Sequence, residues 1–159
     1  MIAITHWGTT DVDNYGDLVF PLILEKQLKS RLGEVQLGLA APFGGVYPAD
    51  KSRCVDRIVR FEEPGFYRQI QGSNGIVLGG GDIIRVDEGD LIDLYGTDSD
   101  AGNGRFNRLF LHDLGKLARI FPVYWNAVGV PHEFDPAQHL EVRRATQNIR
   151  YLSVRDELS

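Results

Sequence analysis

Apolar, β-branched segments and amphipathic segments succeed one another along this 159-residue chain almost without exception. Ile2–Thr5 reads as a short buried strand. Leu18–Leu32 reads as a helix with Phe20, Leu24, Leu28 and Leu32 at helical spacing, capped by Asp17 and stopped by Gly33. Pro21 fits that helix only near its first turn, which places the start close to Asp17. Glu34–Ala41 and Val55–Phe61 read as strands, Pro64–Gln71 as a short helix, and Asn74–Gly81 as a buried strand ending in three glycines. A helix over Phe106–Ile120, with Phe106, Phe110, Leu114 and Leu117 on one face, precedes a strand over Phe121–Val130. Pro136–Asn148 is then a helix with Asp135 as its cap, Arg150–Val154 is a last strand, and residues 155–159 begin another helix.

Such alternation predicts an α/β fold: a parallel sheet of five or six strands with helices on both faces, in one domain over residues 1–159. Sheets of this kind bind ligands beyond the carboxyl ends of their strands. The unusual loops all follow strands: Thr5–Asp17, Gly79–Arg105, Asn126–Asp135 and the turn at Arg155. The first spends a dozen residues on Gly, Thr, Asp and Asn where a plain connection needs only a few, as though built to hold something.

Within those loops the chemistry is sparse. "GGGD", Gly79 to Asp82, lacks the third glycine of a dinucleotide fingerprint, since Ile84 stands there, and no Gly-Lys-Ser/Thr follows. Three glycines in a row exceed what a turn needs and leave backbone N–H groups open to a ligand. "DSDAGNG", Asp98 to Gly104, fails as a calcium loop, because Gly102 and Leu109 occupy positions that need oxygen ligands. The acidic segment from Asp82 to Arg105 reads instead as a mobile, solvated loop. Among the histidines only His6 falls on the functional rim, where a structural or hydrogen-bonding role outweighs a chemical one; His112 faces outward from its helix. No metal-ligand spacing and no nucleophile elbow is present. Arg155, at the end of the last strand, offers a fork of donors to a carboxylate or phosphate, the bland alternative being a surface pair with Asp156.

A net charge of −5 with no basic cluster argues against a nucleic-acid surface. The lone Cys54 excludes an internal disulfide and fits a reducing compartment. With neither a signal-peptide pattern nor an apolar run near the ~20 residues of a membrane span, the expectation is a cytoplasmic protein.

In order, "DNYGD", "GIVLGGGD", "WNAVGVP" and "YLSVRDELS" resemble the polysaccharide pyruvyl transferase family over the whole chain. The resemblance implies a Rossmann-like N-terminal domain of a two-domain, glycosyltransferase-B-type enzyme, with the C-terminal half of the family fold absent from these residues. It implies transfer of the pyruvyl unit of phosphoenolpyruvate, as donor substrate and with no further cofactor, to a pair of saccharide hydroxyls. The product is a ketal in exopolysaccharide or cell-surface glycan biosynthesis. The acceptor would be a saccharide or lipid-linked saccharide, met in the cytoplasm or at the inner face of the membrane. Asn14, Gly80, Gly81 and Arg155 would bind substrate, with Arg155 as the cationic clamp. Asp17 would orient or deprotonate an acceptor hydroxyl. The family's proposed acid, a histidine, lies in the second half, so the isolated chain is expected to be inactive, and an apolar patch left uncovered could drive self-association. Two other readings stand beside it: the acceptor-side domain of a sugar-nucleotide glycosyltransferase, and a non-catalytic glycan-binding domain.

Overall fold

Each residue of the first strand must satisfy a different neighbour, because the strand is paired on both edges and buried on both faces. In the computed structural model, which describes residues 1–11, 14–45, 58–84 and 108–155, β1 is Ile2–Trp7. It pairs in parallel with β2 (Val35–Ala41) on one side and β4 (Gly75–Gly79) on the other, while β3 (Ile58–Arg60) adds to the outer edge of β2. The order β3-β2-β1-β4 belongs to the first of two compact units, Met1–Gly81 and Asp82–Ser159.

Alternation along β1 sends successive side chains into two different interiors. Ile4 joins Leu18 and Leu24 of α1 (Tyr15–Leu32) in a cluster with Val35, Leu37, Leu39 and Val77, and His6 stacks on Phe20 of the same helix. Trp7 turns to the other face, where its ring lies 4.6 Å from Phe61 and 5.1 Å from Phe66 of α2 (Pro64–Gln71). Thr5, on that same face, shares a 2.6 Å hydrogen bond with Ser73, just after α2. One helix therefore covers each face, which is the arrangement a parallel sheet needs.

The start of α1 corrects the sequence reading. Asn14, not Asp17, is the N-cap: its Oδ1 accepts a hydrogen bond from Gly16 N–H at 3.0 Å, and the helix begins at Tyr15. Pro21 thus sits in the second turn rather than the first, and the N–H it lacks is the one that would have served the Asp17 carbonyl. Since β1 also extends to Trp7, the connection shrinks to residues 8–14, close to an ordinary loop length. The helix ends as expected at Gly33, whose φ of 80° is left-handed and whose N–H reaches the Lys29 carbonyl.

In the second unit, β5 (Val123–Val128) and β6 (Tyr151–Val154) are parallel and joined through α4 (Pro136–Thr146). Asp135 and Gln138 form the reciprocal cap of α4: Asp135 Oδ1 accepts from Ala137 and Gln138 N–H, and Gln138 Oε1 accepts from Asp135 N–H. Before β5 the chain winds as a π-helical segment, Arg108–Asp113, into the short α3 (Leu114–Leu117). Leu109, Phe110 and Leu111 are all buried there, a run of three that a single α-helical stripe would not bury. Every pairing between strands within each unit is parallel and helices separate the strands, so the fold is α/β and Rossmann-like. The expected mobile acidic loop from residue 85 onward, the segment 98–104, Cys54, residues 55–57 of the expected third strand and Asp156 lie outside the described residues.

α3 and α4 touch through backbone at Gly115, where an added Cβ would fall 2.8 Å from the Ala145 carbonyl oxygen. Gly115→Ala tests that contact by its sign. In an open helix the change would stabilise by up to ~1 kcal/mol, whereas here overpacking should destabilise by about 1–3 kcal/mol in denaturant unfolding.

Candidate functional site

The strand order places a topological switch beside β1. The chain moves outward through β2 and β3, then returns on the opposite edge as β4, so the loops after β1 and β4 part company at the carboxyl ends of adjacent strands. Crevices of this kind are where open α/β sheets hold ligands. The loop after β4 is the glycine run, with Gly80 at φ 97° and Gly81 at φ 30°, both left-handed. The first turn of α1 brings Asp17 against it. A Cβ on Gly81 would come within 2.6 Å of Asp17 Oδ1, and one on Gly80 within 3.3 Å. The missing side chains are what let the buried Asp17 carboxylate lie on the turn, at the helix end where unpaired N–H groups concentrate positive potential.

His6 lies beneath this turn. Its Nε2 donates to the Gly79 carbonyl at 3.0 Å, which fixes the tautomer, and its ring stacks on Phe20 with centroids 5.2 Å apart. Burial pulls the imidazole down from 6.5 to about 4, against the smaller opposing effect of the Gly79 bond. His6 is therefore neutral near pH 7 and holds the end of β4 rather than supplying protons. Gly8 makes room for it, since a Cβ there would sit 2.6 Å from His6 Cε1. In the β1 loop, Asp11 Oδ2 accepts the Phe43 N–H at 2.6 Å, tying this loop to the one after β2, and burial pushes the Asp11 carboxyl up. Thr10 Oγ1 and His6 Nδ1 are buried without a hydrogen-bond partner among the described residues.

The first unit thus brings Asp17, Gly80 and Gly81 into contact, with Asn14 one turn away as the exposed helix cap. Asn14 Oδ1, expected to present itself to a ligand, is engaged by Gly16. Arg155 belongs to the second unit, at the carboxyl end of β6, where its N–H bonds the Val128 carbonyl at 3.1 Å. Its Nη2 lies 2.9 Å from Asp82 Oδ1, an ion pair set by charge rather than by an aligned N–H···O bond. Both groups are partly solvated, so the pair adds under ~1 kcal/mol to stability and matters for where the guanidinium points. Sequence reasoning missed Asp82 as that partner. The signal lies in "GGGD", which ends on a carboxylate directly behind the glycines.

A cavity of about 630 Å³ in the second unit, lined by His112, Lys116, Arg119, Leu140, Glu141 and Arg144 among others, does not include Arg155 or Asp82. His112 Nε2 and Glu141 Oε1 lie 2.7 Å apart across it, and Lys116 pairs with Asp113. Its arginines sit in or just past the last turns of α3 and α4, where they answer the negative ends of those helices.

His6 makes stability depend on pH. Above pH 6.5 it is neutral folded and unfolded, so stability is full. As pH falls toward about 4 the unfolded chain binds a proton that the folded one refuses, and on the order of 3 kcal/mol is lost. Asp11 acts oppositely, since its raised folded carboxyl takes up a proton first and gains stability as pH falls toward 3.8. Unfolding measured from pH 7 to 4 should therefore show a steeper loss in the wild type than in His6→Asn, which retains Asp11. Gly81→Ala should cost about 1–3 kcal/mol at all pH values, from the strained φ and the clash with Asp17.

Among the described residues no helix is long and apolar enough to cross a membrane. Comparison of the chain with protein-family models, curated proteins and solved structures finds no match.

Proposed function

We propose that this chain is the N-terminal domain of a polysaccharide pyruvyl transferase. The observation that carries the reading is positional: each of the four motifs that suggested it includes the carboxyl end of a strand or the start of a helix. Asn14–Asp17 of "DNYGD" form the cap and first residues of α1, "GIVLGGGD" runs through β4 into the glycine turn, "WNAVGVP" runs off the end of β5, and "YLSVRDELS" contains β6 and Arg155 at its end. A motif kept for packing alone would have no reason to favour that end of each strand.

In the proposed reaction an acid protonates the methylene carbon of phosphoenolpyruvate, and a saccharide hydroxyl adds to the adjacent carbon. A second hydroxyl then displaces phosphate, giving a pyruvate ketal and inorganic phosphate. The donor carries a carboxylate and a phosphate, so a guanidinium offers the matching geometry, and Arg155 is the residue assigned to it. Asp17, buried on the glycine turn, would orient or deprotonate the acceptor hydroxyl, with Gly80 and Gly81 giving backbone N–H groups room to approach it. His6, neutral and engaged with Gly79, does not supply the acid. That group belongs to the second half of the family fold. The acceptor is a saccharide or lipid-linked saccharide, met in the cytoplasm or at the inner face of the membrane.

Calorimetric titration tests the reading. Phosphoenolpyruvate should bind saturably and uridine diphosphate should not, the reverse pointing to a sugar-nucleotide glycosyltransferase. Arg155→Ala should weaken phosphoenolpyruvate binding about 10–100-fold, as expected for losing a charged hydrogen bond, and Arg155→Lys should recover part of it. Unchanged affinity in Arg155→Ala would remove Arg155 from the site.

A further inference from the structure

The ladder between β5 and β6 breaks at one place. Tyr124 faces Tyr151 and Trp125 faces Leu152, but the next pair is Val128 with Val154. Asn126 and Ala127 together therefore oppose the single residue Ser153, which is a β-bulge. Burial keeps the same count: Val123 and Trp125 point into the core, and after the bulge Val128, not Ala127, resumes it. Ala127 sits at φ 53°, a left-handed conformation that a residue with a Cβ holds only where its surroundings dictate it.

Ser153 provides that constraint. Its Oγ accepts the Ala127 N–H at 2.9 Å and donates to the Trp125 carbonyl at 3.4 Å, so one hydroxyl spans the bulge. Beyond it the ladder resumes with Arg155 N–H on the Val128 carbonyl, and Ile84 N–H bonds the Gly129 carbonyl at 3.3 Å. The segment that carries Asp82 is thus fixed to the same end of β5 that fixes Arg155, and the two side chains meet at 2.9 Å. Without the bulge, regular pairing would set Ala127 opposite Val154 and move the Arg155 N–H one residue along β5. Such a shift turns each later side chain of β5 to the opposite face and displaces the carbonyls of β5 that hold Arg155 and Ile84.

We propose that Ser153 is a positioning residue: by locking the Asn126–Ala127 bulge it sets the register in which Arg155 leaves β6 and meets Asp82, and so aims the guanidinium at an anionic donor. This rests on the assignment of Arg155 to phosphoenolpyruvate binding. Ser153 itself touches no substrate.

The test pairs amide hydrogen exchange with phosphoenolpyruvate titration of the full chain. Ser153→Ala should speed exchange at Ala127 and weaken phosphoenolpyruvate binding about tenfold. Ser153→Thr, which keeps the hydroxyl, should stay near the wild type. Adding Ala127→Gly to Ser153→Ala should recover part of the affinity, because glycine holds the left-handed bulge without help. A general loss of stability would not be repaired in that way. Wild-type affinity in Ser153→Ala, or weakened binding with unchanged exchange at Ala127, overturns the role of Ser153 while leaving the function above intact. A wild-type chain that binds no phosphoenolpyruvate overturns that function, and this role with it.

Discussion

Double pairing and double burial of β1 govern the first unit. Its backbone is hydrogen-bonded to β2 and to β4, and its side chains enter the α1 core and the α2 core in turn. From Ile4 to Trp7 no position on the strand is left to water, so any polar side chain there must find a partner inside the protein. Thr5 finds Ser73 and His6 finds the Gly79 carbonyl. The His6 bond has the larger effect, because it ties the last residue of β4 to the centre of the sheet just before the backbone enters two left-handed glycines. The turn that carries Asp17 on its surface is thereby anchored from below.

Much of this was readable in the chain because it depends on neighbours in sequence. Strand–helix alternation, the Gly33 stop and the Asp135–Pro136 cap are local, and each appears as expected. The start of α1 is not legible in the same way: Asp17 is an acceptable cap that keeps Pro21 in the first turn, yet the helix begins at Tyr15 with Asn14 as its cap. Tertiary burial of Leu18, Pro21 and Leu24 tolerates a proline in the second turn, which propensity alone would not allow.

What could not be read is what depends on distance along the chain. Nothing local in "SVRD" states that its arginine meets Asp82, or that its serine closes a gap in a neighbouring strand. The bulge is equally silent in sequence, because Val123, Trp125 and Ala127 keep the apolar spacing of two that an uninterrupted strand would have.

The pairing of β1 with β4 also bears on how the protein comes to exist during synthesis. Ala3 and Asn74 are bonded across 71 residues, whereas β2 follows β1 after a single helix. At roughly 5–20 residues per second, a ribosome leaves the β4 side of β1 open for several seconds after the β1–β2 pair has emerged. During that interval an apolar strand with one unpaired edge is exposed to other nascent chains. The short β4 segment, arriving late, is what closes it. Slowing translation between β2 and β4 would lengthen that exposure without changing a single contact in the finished fold.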